Sequence, residues 1–395
     1  MNDRQGKGLT LKPGNYFPLI ISMTLALGCR KSNVDKQDLR DFNQVNLVAN
    51  SREYDPVTVD KTLINAFGIA WSPNGIAWVN SVGGHESELY SEDGKIVKSV
   101  NIPDTAKGPN GLPCGIVFSG GKGFNLSNGP SLFLFTGFDG VVSGWNPALG
   151  DTAQFKLHPP GSSFTGLAIG ASGGQNFIYG ANFGQKKIVV WDTAFKRIAM
   201  SFTDPTLPDT YSPYNIQAVG DLLFVMYAEL ETSGKNAGHG IEGPGKGFVS
   251  VFRTDGTFVT RFASRGTLDI PWGVTMAPAS FLEDRDVNND AGGNQNGNGS
   301  KNTDGINNFG GNPNRDRKDS VILVGNFGDG RINVFSQRGD FIGQLQSKKH
   351  PIVIDGLWSL SFAPALPTDR GPLRLYFTAG PDHETDGVFG FLVKQ

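Results

Sequence analysis

Cysteine is nearly absent from this chain. Its two copies, Cys29 and Cys114, exclude the disulfide framework that stabilises small secreted scaffolds. An excess of either charge is missing too: 35 basic side chains stand against 37 acidic ones, a formal net charge of −2. No net field draws such a protein to nucleic acid or to an anionic bilayer, so a neutral partner, or one recognised locally, is expected. The apolar run near the start, Tyr16 to Leu27, is well short of the ~20 residues that cross a bilayer as a helix. His85, His158, His239, His350 and His383 show no metal-ligand spacing, and no metal or other cofactor is expected from them.

Ahead of that apolar run stand Arg4, Lys7 and Lys12, and behind it Gly28 and Cys29. A charged, then apolar, then small-residue order is the layout of an export signal, here residues 1–28. Leu25-Ala26-Leu27-Gly28-Cys29 resembles the lipobox of bacterial lipoproteins, in which the cysteine is diacylated and becomes the mature N-terminus, although Ala26 stands where leucine is usual. Cys29 is therefore the expected lipidation site, and two acyl chains are enough for stable anchoring. Residues 29–43 read as a polar tether. The expectation is a membrane-anchored lipoprotein of the outer membrane or cell surface, with the lipid as its one membrane contact; simple secretion is the alternative. Cys114, inside the apolar stretch Leu112 to Phe118, reads as a small buried hydrophobe.

Glycine is what the chain has in plenty: 54 residues, about twice the usual share of roughly 7%. They fall into a repeat. A bend residue followed by alternating apolar positions recurs at Gly68, Gly115, Gly166, Asn215, Gly273 and Ser359, in steps of 47, 51, 49, 58 and 86. The last step contains a polar insertion of roughly 36 residues whose removal restores a period near 50, within the range of propeller repeats. Three more apolar runs follow each bend but the last, and Asp93-Gly94 and Asp255-Gly256 sit where hairpin turns are needed. The reading is all-β: one six-bladed β-propeller over residues 44–395 with four-stranded antiparallel blades. The sixth unit has room for only three strands before Gln395, so Gln44 to Val48 should complete the last blade and leave no open edge. The bend glycines would admit close backbone approach around the axis.

The insertion, about residues 283–319, is rich in Asn, Asp and Gly and reads as a surface loop. Asp286 to Asp290 alternates oxygen ligands as a calcium loop does, but Ala291 replaces the turn glycine and Gly297 the bidentate glutamate, which leaves calcium as a weak alternative. Gly170 to Gly174 has nucleophile-elbow spacing without a following helix, and Gly243 to Gly247 lacks the strand and helix of a phosphate loop.

In a propeller the turn leading into each inner strand and the turn after the second strand share one face. That geometry selects Asn80, Asn182, Tyr214, Asn215, Trp272, Asn326, Asp355 and Trp358 as candidate ligand-binding residues. Aromatic planes beside amides suit a neutral polyhydroxylated ligand such as a glycan. The function expected is surface binding or scaffolding, the partner a carbohydrate or another surface protein, and the protein itself a monomer.

Asn182-Phe183-Gly184, Tyr211 to Gln217, Gly325 to Asn333, Ile354 to Trp358 and Tyr376 to Pro381 resemble signature segments of a family of exported bacterial six-bladed propeller proteins, some with a C-terminal sorting tail. The resemblance runs from about Asn46 to Leu392; the Asn-rich insertion departs from it, as does the end at Gln395, where a lipid would replace the tail as anchor. More distantly the family is similar to NHL and lactonase-like propellers. The latter hold a divalent ion at the axis with amide and carboxylate oxygens, which implies a second function: a metal-assisted hydrolase or lyase using Asn80, Asn182, Asn326 and Asp355. Whether the protein is an enzyme stays open at the level of sequence.

Overall fold

Strands covered on both faces are apolar at nearly every position, and the second strands of this chain have that character: Leu222–Glu229, Val321–Asn326 and Arg374–Ala379 are buried along most of their length. The computed structural model describes residues 34, 36, 38–283, 320–366 and 373–395. Cys29, Asp286 to Asp290 and Gly297 lie outside those residues.

Six antiparallel sheets form six blades. Their inner strands are Ala66–Trp71, Pro113–Phe118, Phe164–Ser172, Tyr211–Val219, Pro271–Ala277 and Leu357–Phe362, and the first five blades run outward in sequence order. Each inner strand touches the next, and the sixth touches the first, so the ring is closed. Short hairpins, Asn125–Leu126 with Gly129–Pro130 and Gln346–Ser347 with His350–Pro351, are additions to this plan.

Packing follows from side-chain alternation. Leu323 faces the core between blades 5 and 6, while its neighbours Ile322 and Val324 face the core between blades 4 and 5. The same alternation sends Phe133 and Phe135 towards blade 1 and Leu134 towards blade 3. Six interblade cores result, one at each junction.

The last blade closes as expected. Phe42–Ala49 pairs antiparallel with Val388–Lys394, from Phe42 opposite Lys394 to Ala49 opposite Val388. At the seam Asp386 accepts from Asn50 Nδ2 and from the Tyr54 hydroxyl, both at 2.6 Å. Two details differ from the sequence reading. Thr58–Val59 adds a short fifth strand, parallel to the closing strand. Packing also begins before residue 44: Leu39 and Phe42, in the stretch read as a tether, are buried, and the Phe42 ring lies 5.0 Å from that of Phe281.

Removal of residues 1–51 strips Phe42, Leu47 and Val48 from the core, each worth about 1.5–3 kcal/mol of burial, and bares Val388–Lys394 as an edge. That truncation should melt far below the parent and aggregate on size exclusion, while a chain starting at residue 38 should match the parent. Equal melting of the two truncations would contradict closure by the N-terminal strand.

Candidate functional site

At four blade junctions the carbonyl of the residue just before one bend lies against the bend residue of the neighbouring blade. A Cβ on Gly68 would sit 2.2 Å from the Cys114 oxygen, and one on Gly273 would sit 2.6 Å from the Trp358 oxygen; glycine is what lets these backbones meet. Two bends are not glycine, and their side chains bridge the junction instead. Asn215 Nδ2 donates to the Trp272 oxygen at 2.8 Å, and Ser359 Oγ donates to the Phe67 oxygen at 2.8 Å.

Above these bends, on the face where the inner strands begin (the upper face), aromatic rings from all six blades close the axis. Phe327, Trp358 and Phe67 form a stack, with centroids 4.0 Å and 3.8 Å apart. Trp272 and Phe138 meet Phe67 edge-on, Tyr214 lies 6.0 Å from Trp358, and Phe183 meets Tyr214 edge-on at 4.7 Å. The indole nitrogens are taken as well: Trp358 Nε1 donates to Asn65 Oδ1 at 2.8 Å and Trp272 Nε1 to the Thr165 oxygen at 3.0 Å. The structure therefore does bring Tyr214, Asn215, Trp272 and Trp358 together, but as a buried plug whose rings face one another.

The asparagines do not join them. Ser81, Gly137, Asn182, Tyr227, Asn326 and Ala379 each pair with the residue two positions before a bend and so occupy equivalent positions. Asn80 is one residue earlier and points to the opposite face of its sheet. Its Nδ2 reaches the Cys114 oxygen of the next blade, 3.2 Å away, whereas Asn182 and Asn326 bond the lead-in loops of their own blades through Ser162 and Thr267. Asp355 is exposed and accepts from the Asp382 amide. A divalent ion needs its oxygens on one point; with Asn80 turned away from Asn182 and Asn326, these four do not fit one.

Below the plug the channel opens to the lower face as a cavity of about 220 Å³. Its walls are backbone and neutral side chains: Trp71 and Phe118 near the opening, Asn215, Gln217, Ser359 and Ser361 as the polar side chains, and no ionisable residue. Trp71 Nε1 donates to Ser361 Oγ at 3.1 Å, and Gln217 Oε1 accepts from the Val274 amide.

No family model matches the chain. Over 370 residues it is 30% identical to uncharacterized protein L690 of Acanthamoeba polyphaga mimivirus, covering 89% of this chain and 86% of that protein. Uncharacterized protein R648 of the same virus is 30% identical over 370 residues, with 89% and 80% covered. The chain belongs to the family of these proteins. L690 and R648 are viral, whereas the resemblance read from the sequence is to exported bacterial propellers. Among solved structures, virginiamycin B lyase from Staphylococcus aureus is 12% identical with a TM-score of 0.47, covering 90% of this chain and 99% of that one. A gluconolactonase from Xanthomonas campestris is 12% identical with a TM-score of 0.45, covering 84% and 86%. Likenesses of that degree carry no activity across.

Two groups that the sequence did not single out mark the two ends of the axis. On the upper face, Glu384 ends a turn in which Asp382, His383 and Glu384 all have left-handed backbone, at φ 52°, 57° and 67°, a conformation that disfavours non-glycine residues by about 1–2 kcal/mol each. Its carboxyl accepts from Asn65 Nδ2 at 2.7 Å, and burial pushes its pKa up. Gln217 of the lower cavity stood inside a repeat motif, where its alternation with Ile216 could have flagged it. Cys114 is fully buried as expected, and burial pushes its thiol up.

Away from the axis, Glu88 is buried beside Asp60 and Glu86; burial and a hydrogen bond with Glu86 push its carboxyl up to about 9. The folded state thus holds a proton that the unfolded chain, with an ordinary carboxyl near 4.5, releases. Stability should be intact below that ordinary value and fall as pH rises towards 9. Glu88→Gln should therefore be more stable than the parent at pH 8, with the difference shrinking at pH 4, in denaturant unfolding. A difference independent of pH would contradict a protonated Glu88.

Proposed function

We propose that the protein is a binding module carried on a membrane surface, exported and anchored through lipid on Cys29, whose channel takes a neutral polyhydroxylated ligand such as a glycan. The observation that carries the ligand class is the chemistry of the lower cavity. Its walls contain no ionisable side chain, so a charged ligand would lose hydration without a compensating partner. Trp71 and Phe118 offer aromatic surface at the opening, Gln217 Nε2 offers a donor to hydroxyl groups, and Ser361 Oγ, which donates to the Phe362 oxygen, offers an acceptor. Stacking surfaces expected on Tyr214, Trp272 and Trp358 are used by the plug, so the recognition surface passes to the opposite face. The lipid anchor rests on the short apolar run ending at Gly28-Cys29. No helix among the described residues is long and apolar enough to cross a membrane.

Screening of the full chain against neutral glycans should find retained ligands, and Trp71→Ala should weaken them about tenfold, or about 1.4 kcal/mol; Gln217→Ala should act in the same direction. Retention of no neutral glycan, or retention indifferent to both substitutions, would sink the ligand assignment. In detergent partitioning, Cys29→Ser should move the protein to the aqueous phase; unchanged partitioning would remove the anchor but leave the ligand assignment standing.

A further inference from the structure

The loop that leads into the first blade and the loop that leads into the fourth carry the same four-residue pattern, Asp60-Lys61-Thr62-Leu63 and Asp204-Pro205-Thr206-Leu207. Both fold alike. The threonine amide and hydroxyl donate to the aspartate Oδ1, at 3.1 and 2.8 Å in the first loop and at 2.9 and 2.9 Å in the fourth. What each loop rests on differs. In blade 4, Asp204 Oδ2 accepts from Ser250 Oγ and from Arg261 Nε, both at 2.6 Å, and Ser250 stands opposite Val225 on one side and Arg261 on the other. The equivalent register in blade 1 puts Glu88 opposite Val79 and Ser99. Glu88 thus takes the place of the serine, and Ser99 that of the arginine.

Two carboxyl groups therefore meet in blade 1 where blade 4 has an ion pair. Thr62 Oγ1 lies 2.8 Å from Asp60 Oδ1 and 2.6 Å from Glu88 Oε1. A hydroxyl has one proton to donate, so one of the two carboxyls must bring a proton of its own. Asp60 already accepts from the Thr62 amide and, through Oδ2, from the Tyr90 hydroxyl at 2.9 Å, which leaves Glu88 as the carrier. Glu88 is 1% exposed, and among the described residues no lysine or arginine pairs with it or with Asp60. The charges that reach Glu88 are those of Asp60, from the lead-in loop, and of Glu86, two residues earlier on its own strand. Lys98 of the outer strand pairs with Asp151 instead.

The lead-in loop of blade 1 is also part of the seam. The Val57 and Asp60 amides donate to the Asn46 and Ala49 oxygens of the closing strand at 3.1 and 2.9 Å, and Leu63 is buried with Val48 and Phe389. The Tyr90 ring stacks on Phe389 of the last blade, with centroids 5.6 Å apart. We propose that Glu88, Thr62 and Asp60 form a proton-operated latch on the seam: neutral Glu88 holds the loop over residues 57–65 against blade 1 and the closing strand, and loss of its proton lets that loop lift away. Blade 4, where an arginine stands in for the proton, lacks this response. The sign follows from linkage. Lifting the loop lets Glu88 ionise in water, so between its ordinary value of 4.5 and about 9 each rise of one pH unit makes opening about tenfold easier. The latch stands apart from the ligand and anchor assignments.

Amide exchange of the full chain at pH 6, 7 and 8, corrected for the intrinsic pH dependence of exchange, reads this local opening. Protection over residues 57–65 should fall at least tenfold from pH 6 to pH 8, while residues 203–209 of blade 4 keep theirs. Glu88→Gln, which cannot ionise, should remove the fall. Ser99→Arg, which gives blade 1 the cation that blade 4 has, should reduce it to a few-fold at most, and this half-buried outer-strand position keeps the test decisive even if the first variant folds poorly. Protection over 57–65 that does not change with pH would overturn the proposal. So would an equal fall over 203–209, which would mark a global loss of stability, or a fall of the parent's size in either variant.

Discussion

The aromatic plug at the upper end of the axis is the contact on which the rest of the structure depends. Every other core in the molecule joins two blades, but this one takes a ring from each of the six: Phe67, Phe138, Phe183, Tyr214, Trp272 with Phe327, and Trp358. A ring of repeats has no hub of its own, because inner strands bend away from the axis and leave a channel. Filling one end with large rings supplies that hub, and fixes which end of the channel stays open. The open end then inherits the small and neutral side chains of the inner strands, while the closed end gathers charged turns above an apolar floor. Two faces of different chemistry thus follow from one packing decision.

Close approach at the bends makes the plug possible. Glycine at four of the six positions lets the inner strands converge near the rings, and Asn215 and Ser359 convert the remaining two junctions into side-chain bridges. Thr378 of the last blade also donates to the Phe67 oxygen, so the seam between the last and first blades has polar ties as well as the closing strand. These ties matter at the seam because it is the one junction where neighbouring inner strands are far apart in sequence.

The blade count, the four-stranded plan and the closing strand were legible in the sequence because they rest on period: apolar runs, turn dipeptides and a shortage of strands in the last unit. The candidate residues were less legible because they depend on register and direction. Asn80, Asn182 and Asn326 all end apolar runs and look alike, yet a shift of one residue turns Asn80 to the other face of its sheet. Tyr214, Trp272 and Trp358 do gather at one end of the axis, but nothing in a linear pattern says whether an aromatic ring meets a ligand or another ring. Glu384 owes its position to three successive left-handed residues, a conformation without a sequence signal when none is glycine. Leu39 and Phe42 were hidden by the polar residues around them, and Thr58–Val59 by its brevity.

Hydrogen–deuterium exchange on Trp358→Ala tests the hub most directly. Truncation of a buried tryptophan removes about 3–5 kcal/mol, and Trp358 itself touches rings of blades 1, 4 and 5. If the plug unites the ring, faster exchange should reach the inner strands of all six blades, including Pro113–Phe118 and Phe164–Ser172, which Trp358 does not contact through any ring. Faster exchange confined to blade 6 and the three it touches would contradict that account and leave the propeller as a chain of pairwise junctions.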